Sequence, residues 1–160
     1  MKACPLPSLI PFIASAVVGF AVPAAAEENL SWGGWSGDGS ASLFYGLAES
    51  DHVLFSLACE SRDGPILLAV PYESADAKDG AAYPLTLSVG SQALTVDTTG
   101  SRMEMDDLFI LVGELPKGSD IKSLLTGTGM LKVAIGTEVT ELPLDSIGKA
   151  AQEFLAVCSP

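Results

Sequence analysis

Positive charge is scarce in this sequence: 8 lysines and arginines stand against 20 aspartates and glutamates, a formal net charge of −12 over 160 residues. Nucleic acid and anionic membrane surfaces need a positive field to offset phosphate repulsion, so neither is expected as a partner. Histidine is scarcer still, with His52 alone. Asp51 adjoins it, but neighbours along a strand or turn point apart, and His52 reads as an exposed turn residue rather than half of a dyad. No Gly-x-Ser-x-Gly elbow occurs, so no catalytic nucleophile is expected. Cysteine is limited to Cys4, Cys59 and Cys158. A zinc site takes about four nitrogen or sulfur ligands, more than two cysteines and one histidine supply, so no metal and no cofactor is expected.

Charge is also missing from the start of the chain. Lys2 is the only charged residue before Glu27, and residues 9–22 are apolar and lead into Pro23-Ala24-Ala25-Ala26, the small-residue pattern that signal peptidase cuts after. The uncharged run is long enough to serve as a membrane anchor. Cleavage is the better reading, because Pro5, Pro7 and Pro11 spoil a helix and Glu27 and Glu28, rather than a basic stop-transfer cluster, follow Ala26. Residues 1–26 are therefore expected to be a signal peptide, and 27–160 a single periplasmic or secreted domain with no transmembrane segment. Cleavage removes one basic residue and no acid, so the net charge moves to −13. Cys4 leaves too, and Cys59 and Cys158 remain as a pair in an oxidising compartment, where a disulfide is the default. In the chain-entropy model, closing a loop of about 100 residues stabilises by at most about 4.7 kcal/mol.

The rest of the chain reads mostly as strands. Residues 31–40 contain four glycines and are expected to form an irregular entry or a loosely held edge. In residues 53–59, Val53, Phe55, Leu57 and Cys59 share one face, which makes this a strand with a buried side, paired in a hairpin with 41–48. Residues 65–72 are another strand. Residues 84–89 and 92–97 flank Gly90-Ser91, where glycine first suits a type II′ turn that sets Leu87 opposite Leu94 and Leu85 opposite Val96. A similar hairpin around Gly136-Thr137 sets Leu131 opposite Leu142. Residues 107–114 form a short apolar run, and Ser119-Asp120 caps one or two helical turns through Leu125.

The final segment changes period. Ile147, Ala150, Ala151, Phe154, Leu155 and Cys158 form one stripe of an amphipathic helix, with Asp145 or Ser146 as its cap. Both Cys59 and Cys158 thus fall on core-facing positions. The expected fold is mainly β: an antiparallel β-sandwich with a C-terminal amphipathic helix packed on the sheet and stapled to the strand of Cys59.

Several patterns bear on chemistry. Ser119 and Lys122, and Ser146 and Lys149, match Ser-x-x-Lys, but the companion Lys-Thr-Gly and Ser-Asp-Asn elements of penicillin-recognising enzymes are absent. Glu104, Asp106 and Asp107 cluster, as do Asp76 and Asp79. Such carboxylates can act as a glycosidase pair or bind calcium, but no Asp-x-Asp-x-Asp-Gly loop occurs, and solvated loops account for them. Trp32 and Trp35, with Tyr45 nearby, are the candidate ligand or partner surface, since rings spaced by glycines can form a platform for a sugar. In the competing reading one or both tryptophans plug an open end of the β core.

The strand Leu54-Phe-Ser-Leu-Ala-Cys59, the run Leu131-Lys-Val-Ala-Ile, the segment Leu142-Pro-Leu-Asp-Ser-Ile-Gly-Lys-Ala-Ala and the closing Phe154-Leu-Ala-Val-Cys158 carry a resemblance. The chain resembles small exported proteobacterial β-sandwich proteins, the type VI secretion-associated TagO-like group and the invasion-associated locus B proteins. The resemblance covers less than half of the expected mature chain and implies an envelope accessory role without known catalysis. The function expected is an exported envelope accessory or binding protein, not an enzyme, with a protein partner or an envelope glycan. The alternatives are an acidic inhibitor of a cationic hydrolase such as lysozyme and, behind it, a hydrolase using paired carboxylates.

Overall fold

The computed structural model describes residues 29–158 except Asp63, Asp106 and Lys117. The expected signal peptide at 1–26 lies outside these residues, as does the Asp106 carboxylate. Among the described residues there are nine strands: β1 (Leu30–Gly37), β2 (Ser40–Leu47), β3 (Val53–Cys59), β4 (Leu67–Pro71), β5 (Ala82–Val89), β6 (Gln92–Met103), β7 (Leu108–Glu114), β8 (Met130–Ile135) and β9 (Glu138–Pro143). Two helices accompany them, α1 (Ile121–Leu125) between β7 and β8, and α2 (Gly148–Val157) after β9.

All nine strands pair antiparallel in one sheet of order β1-β2-β3-β4-β7-β6-β5-β8-β9. The mainly β, antiparallel architecture with a C-terminal helix on the sheet is therefore as expected, but the sheet is a single curled half-barrel rather than two facing sheets. The physical reason is the β4–β7 pairing, which joins the β1–β4 meander to the β7-β6-β5 meander edge to edge. Residues 72–81 and 115–129 each carry the chain past two strands to make that order possible.

The concave side of the curl is the core. Leu43, Phe55, Leu57, Leu68, Leu85, Leu87, Val96, Leu111 and Leu131 point into it and are fully buried. Helix α2 lies against β1 and β2 and α1 against β5 and β6. On α2, Ala151 and Phe154 are buried, with Ile147 and Cys158 buried at its two ends. Cys158 is disulfide-bonded to Cys59 on β3, with Cα atoms 5.8 Å apart. The stripe and the pairing are those expected from the sequence. The cap is not: Ile147, rather than Asp145 or Ser146, holds the N-cap position of α2, and no side chain bonds there. Ile147 is buried, so packing anchors the helix start where no side chain caps its N–H groups.

Local turn chemistry explains the hairpins. Gly90 and Gly136 each have a φ of +58°, and no positive φ follows at Ser91 or Thr137, which suits a glycine-first turn. Leu87 faces Leu94, Leu85 faces Val96 and Leu131 faces Leu142, as expected. The glycine-rich start is an edge of the sheet, one of the two outcomes expected, but a regular one, in register with β2 along its whole length. Asp38 and Gly39 take φ of +50° and +82°, the signature of a two-residue type I′ turn. Helix α1 is capped where expected, by the Asp120 carboxylate, which accepts from the Ser123 N–H at 3.1 Å.

Candidate functional site

Trp32, Trp35 and Tyr45 do not share a surface. Trp32 and Tyr45 face each other across the β1–β2 pair and are buried at 8% and 7% exposure, with ring centroids 5.2 Å apart. Phe55 meets Trp32 edge-on at 5.9 Å. The Trp32 indole N–H donates to the Pro143 carbonyl on β9, so this ring fills the gap between the two edges of the half-barrel. Trp35, on the opposite face of β1, is 57% exposed.

The register shows what surrounds Trp35. Directly paired residues of an antiparallel sheet point to the same face. One row across the convex side runs Trp35, Ser42, Ala58, Leu67 and Glu114. The next runs Gly33, Phe44, Ser56, Ala69 and Val112, and a third includes Pro71 paired with Ile110. Along β1, β2, β3, β4 and β7 the only charged residue is Glu114. Ser56, one of the few polar residues here, donates its hydroxyl to the Ala69 carbonyl at 3.4 Å. Gly33 leaves room for the Phe44 ring, since a Cβ there would sit 2.5 Å from Phe44 Cζ.

The convex side of the other strands is different in kind. Asp97, Thr99 and Ser101 of β6, Thr86 and Ser88 of β5, and Lys132 and Glu141 of β8 and β9 make it polar, with Lys132 and Glu141 paired at 3.0 Å. Half of one sheet surface is thus apolar and half polar. Sequence reading finds the strands but not this face, because its continuity depends on β4 lying beside β7. The available signal is the composition of Leu67–Pro71 and Leu108–Glu114, continuous apolar runs of the type found in strands covered on both sides. Among the described residues only the concave side of these strands is covered.

A second feature lies at the end of the sheet where residues 72–81 meet the β6–β7 turn. A cleft of about 380 Å³ is lined by Tyr72, Glu73, Ser74, Arg102, Asp107 and Phe109, among others. The Arg102 guanidinium sits 5.5 Å from the centre of the Phe109 ring and bonds Asp107 Oδ1 at 2.8 Å. The Arg102 backbone N–H donates to Asp79 Oδ1 at 2.8 Å. The fold therefore brings one carboxylate from each acidic cluster to Arg102, where both brace the turn. Asp76 and Glu104 are exposed beside them.

The remaining motifs are dispersed. Ser119 and Ser146 precede the helices that carry Lys122 and Lys149, and Lys149 pairs with Glu153 at 3.7 Å. His52 is an exposed residue of the β2–β3 turn, its N–H donating to Ser50 Oγ at 3.1 Å and its carbonyl accepting from Leu47. No group of three or more His, Cys, Asp or Glu side chains able to hold a metal occurs among the described residues. No helix among them is long and apolar enough to cross a membrane. Compared with protein-family models, curated proteins and solved structures, the chain matches none.

Proposed function

We propose that this is an exported accessory protein, periplasmic or secreted, that acts by binding a partner on the convex face of β1, β2, β3, β4 and β7 and has no catalytic activity of its own. One observation carries the reading: an apolar sheet face, centred near Phe44, flanked by exposed Trp35 and carrying Glu114 alone as a charge at its edge, in a chain of net charge −12. Contiguous apolar surface of this kind marks interaction sites on soluble proteins. The resemblance to envelope accessory proteins and the leader-like residues 1–26 support an extracytoplasmic setting.

The test is recovery of the protein from envelope extract, as wild type and as the double variant Trp35→Glu, Leu67→Glu. The wild type is expected to start at Glu27 and to carry one stoichiometric partner that the folded variant has lost. A wild-type protein recovered alone, or a variant that keeps the same partner, overturns the reading.

The acidic residues bordering this face also favour the inhibitor reading, in which the partner is a cationic hydrolase. Titration of lysozyme activity at low and moderate salt decides it, and absence of inhibition at micromolar concentration rejects it.

A further inference from the structure

We infer that the partner of the convex face is a protein whose own apolar patch is ringed by lysine or arginine. This rests on the binding reading above and assigns the chemistry of its occupant.

Size sets the first limit on the occupant. Strands lie about 4.8 Å apart and rise about 3.3 Å per residue, so five strands over five residues span roughly 24 Å by 16 Å, about 400 Å². A standard interface takes about 800 Å² from each partner. The apolar centre supplies roughly half of that, and the remainder has to come from the residues around it.

Those residues are acids. At one end of the strands stand Asp38 in the β1–β2 turn, Glu60 after β3, and Glu114, which is paired with Leu67 and shares its face. At the other end stand Glu49 and Asp51 in the β2–β3 turn and Glu73 after β4. All six are exposed. Among the described residues, two basic side chains near this rim have partners of their own: Arg62 reaches the Ala156 carbonyl at 3.4 Å and Arg102 is paired with Asp107. The face is thus an apolar centre inside a negative ring.

That pattern selects among occupants. A second copy would bring the same ring of acids against this one, and like charges juxtaposed at an interface cost several kcal/mol. An anionic lipid surface meets the same repulsion. A protein patch edged with lysine or arginine gains from both parts of the face, through burial at the centre and steering at the rim.

Site-specific photo-crosslinking in the producing cell tests this. A benzoylphenylalanine replaces Trp35 or Leu67 on the apolar half, or Ser88, on β5 and away from β7, on the polar half as control. Crosslinks are expected from the first two positions and not from the third, to a protein peptide whose apolar residues are flanked by Lys or Arg. In the Trp35 probe, adding Glu60→Lys and Glu114→Lys is expected to lower the yield about tenfold at low salt, and by less at higher ionic strength. Circular dichroism establishes that each variant folds. No crosslink from either apolar position defeats the binding reading itself. A crosslink to a second copy, to lipid, or to residues 1–26 of the same chain, or a yield unmoved by charge reversal, leaves the face as a covered surface but overturns the cationic partner.

Discussion

The indole N–H of Trp32 donates to the Pro143 carbonyl at 2.5 Å, joining the first strand of the sheet to the last across 111 residues of sequence. The two strands share no ladder, so this bond and the ring around it help hold the half-barrel at its curvature. Trp32→Phe keeps an aromatic ring beside Tyr45 and Phe55 but leaves the Pro143 carbonyl without this donor, at an expected cost of about 1–2 kcal/mol. Trp32→Ala also empties the ring's volume and should cost about 3–5 kcal/mol. Urea melts of the two variants against wild type check the order and the gap.

Trp35 should behave in the opposite way. Trp35→Phe removes no buried contact and is expected to change stability by no more than about 0.5 kcal/mol. Its remaining tryptophan, Trp32, should emit at short wavelength and resist acrylamide. The reciprocal variant, Trp32→Phe, should show the red-shifted, readily quenched emission of an exposed indole. Equal quenching of both variants would contradict the placement of the two rings.

The Cys59–Cys158 bond encloses 99 residues of sequence separation. Replacing both cysteines with alanine should cost about 2–5 kcal/mol, and adding reductant to the wild type should reproduce most of that loss while leaving the double variant unaffected. Thermal melting with and without dithiothreitol reads this directly.

Asp120 gives a pH dependence of known sign. Hydrogen bonds from the Ser123 hydroxyl and then the Ser123 backbone N–H hold its carboxyl below the ordinary carboxylate range, opposed by slight desolvation and helped by Lys122. A depressed folded-state pKa stabilises the protein above the unfolded value, and this contribution is lost as pH falls through the folded value. The stability difference between wild type and Asp120→Ala should therefore be largest at neutral pH and shrink under strong acid. Denaturant melts across the acid range measure it, and a gap that widens on acidification would reverse the assignment.

Hairpins were legible because turn residues and alternation agree locally: Gly90-Ser91 and Gly136-Thr137 set their registers unaided. The disulfide was legible because Cys59 sits on a strand's apolar face and Cys158 on a helix's apolar stripe. What escaped was structure whose cause is remote or lacks a side-chain pattern. In β1, Gly33, Gly34 and Gly37 leave little alternation to read, so the Asp38-Gly39 turn was its one clear signal. Strand β6 runs past Asp97 through Thr98 and Gly100, small residues that make room for Tyr83 and Phe109, and no apolar period marks them. The single sheet and its convex apolar face both follow from β4 lying beside β7, a pairing between segments about 40 residues apart that local pattern does not encode.

The position of Cys158 also governs the order of events during biosynthesis. The thiol that closes the staple, and the helix that covers β1 and β2, follow all nine strands in the chain. A ribosome delivers strands and edges first, so Leu43, Tyr45 and Phe55 wait without the α2 side of their packing until the last segment arrives. The Cys59–Cys158 bond can therefore close only after every strand has been synthesised, and until then the sheet has to form without it.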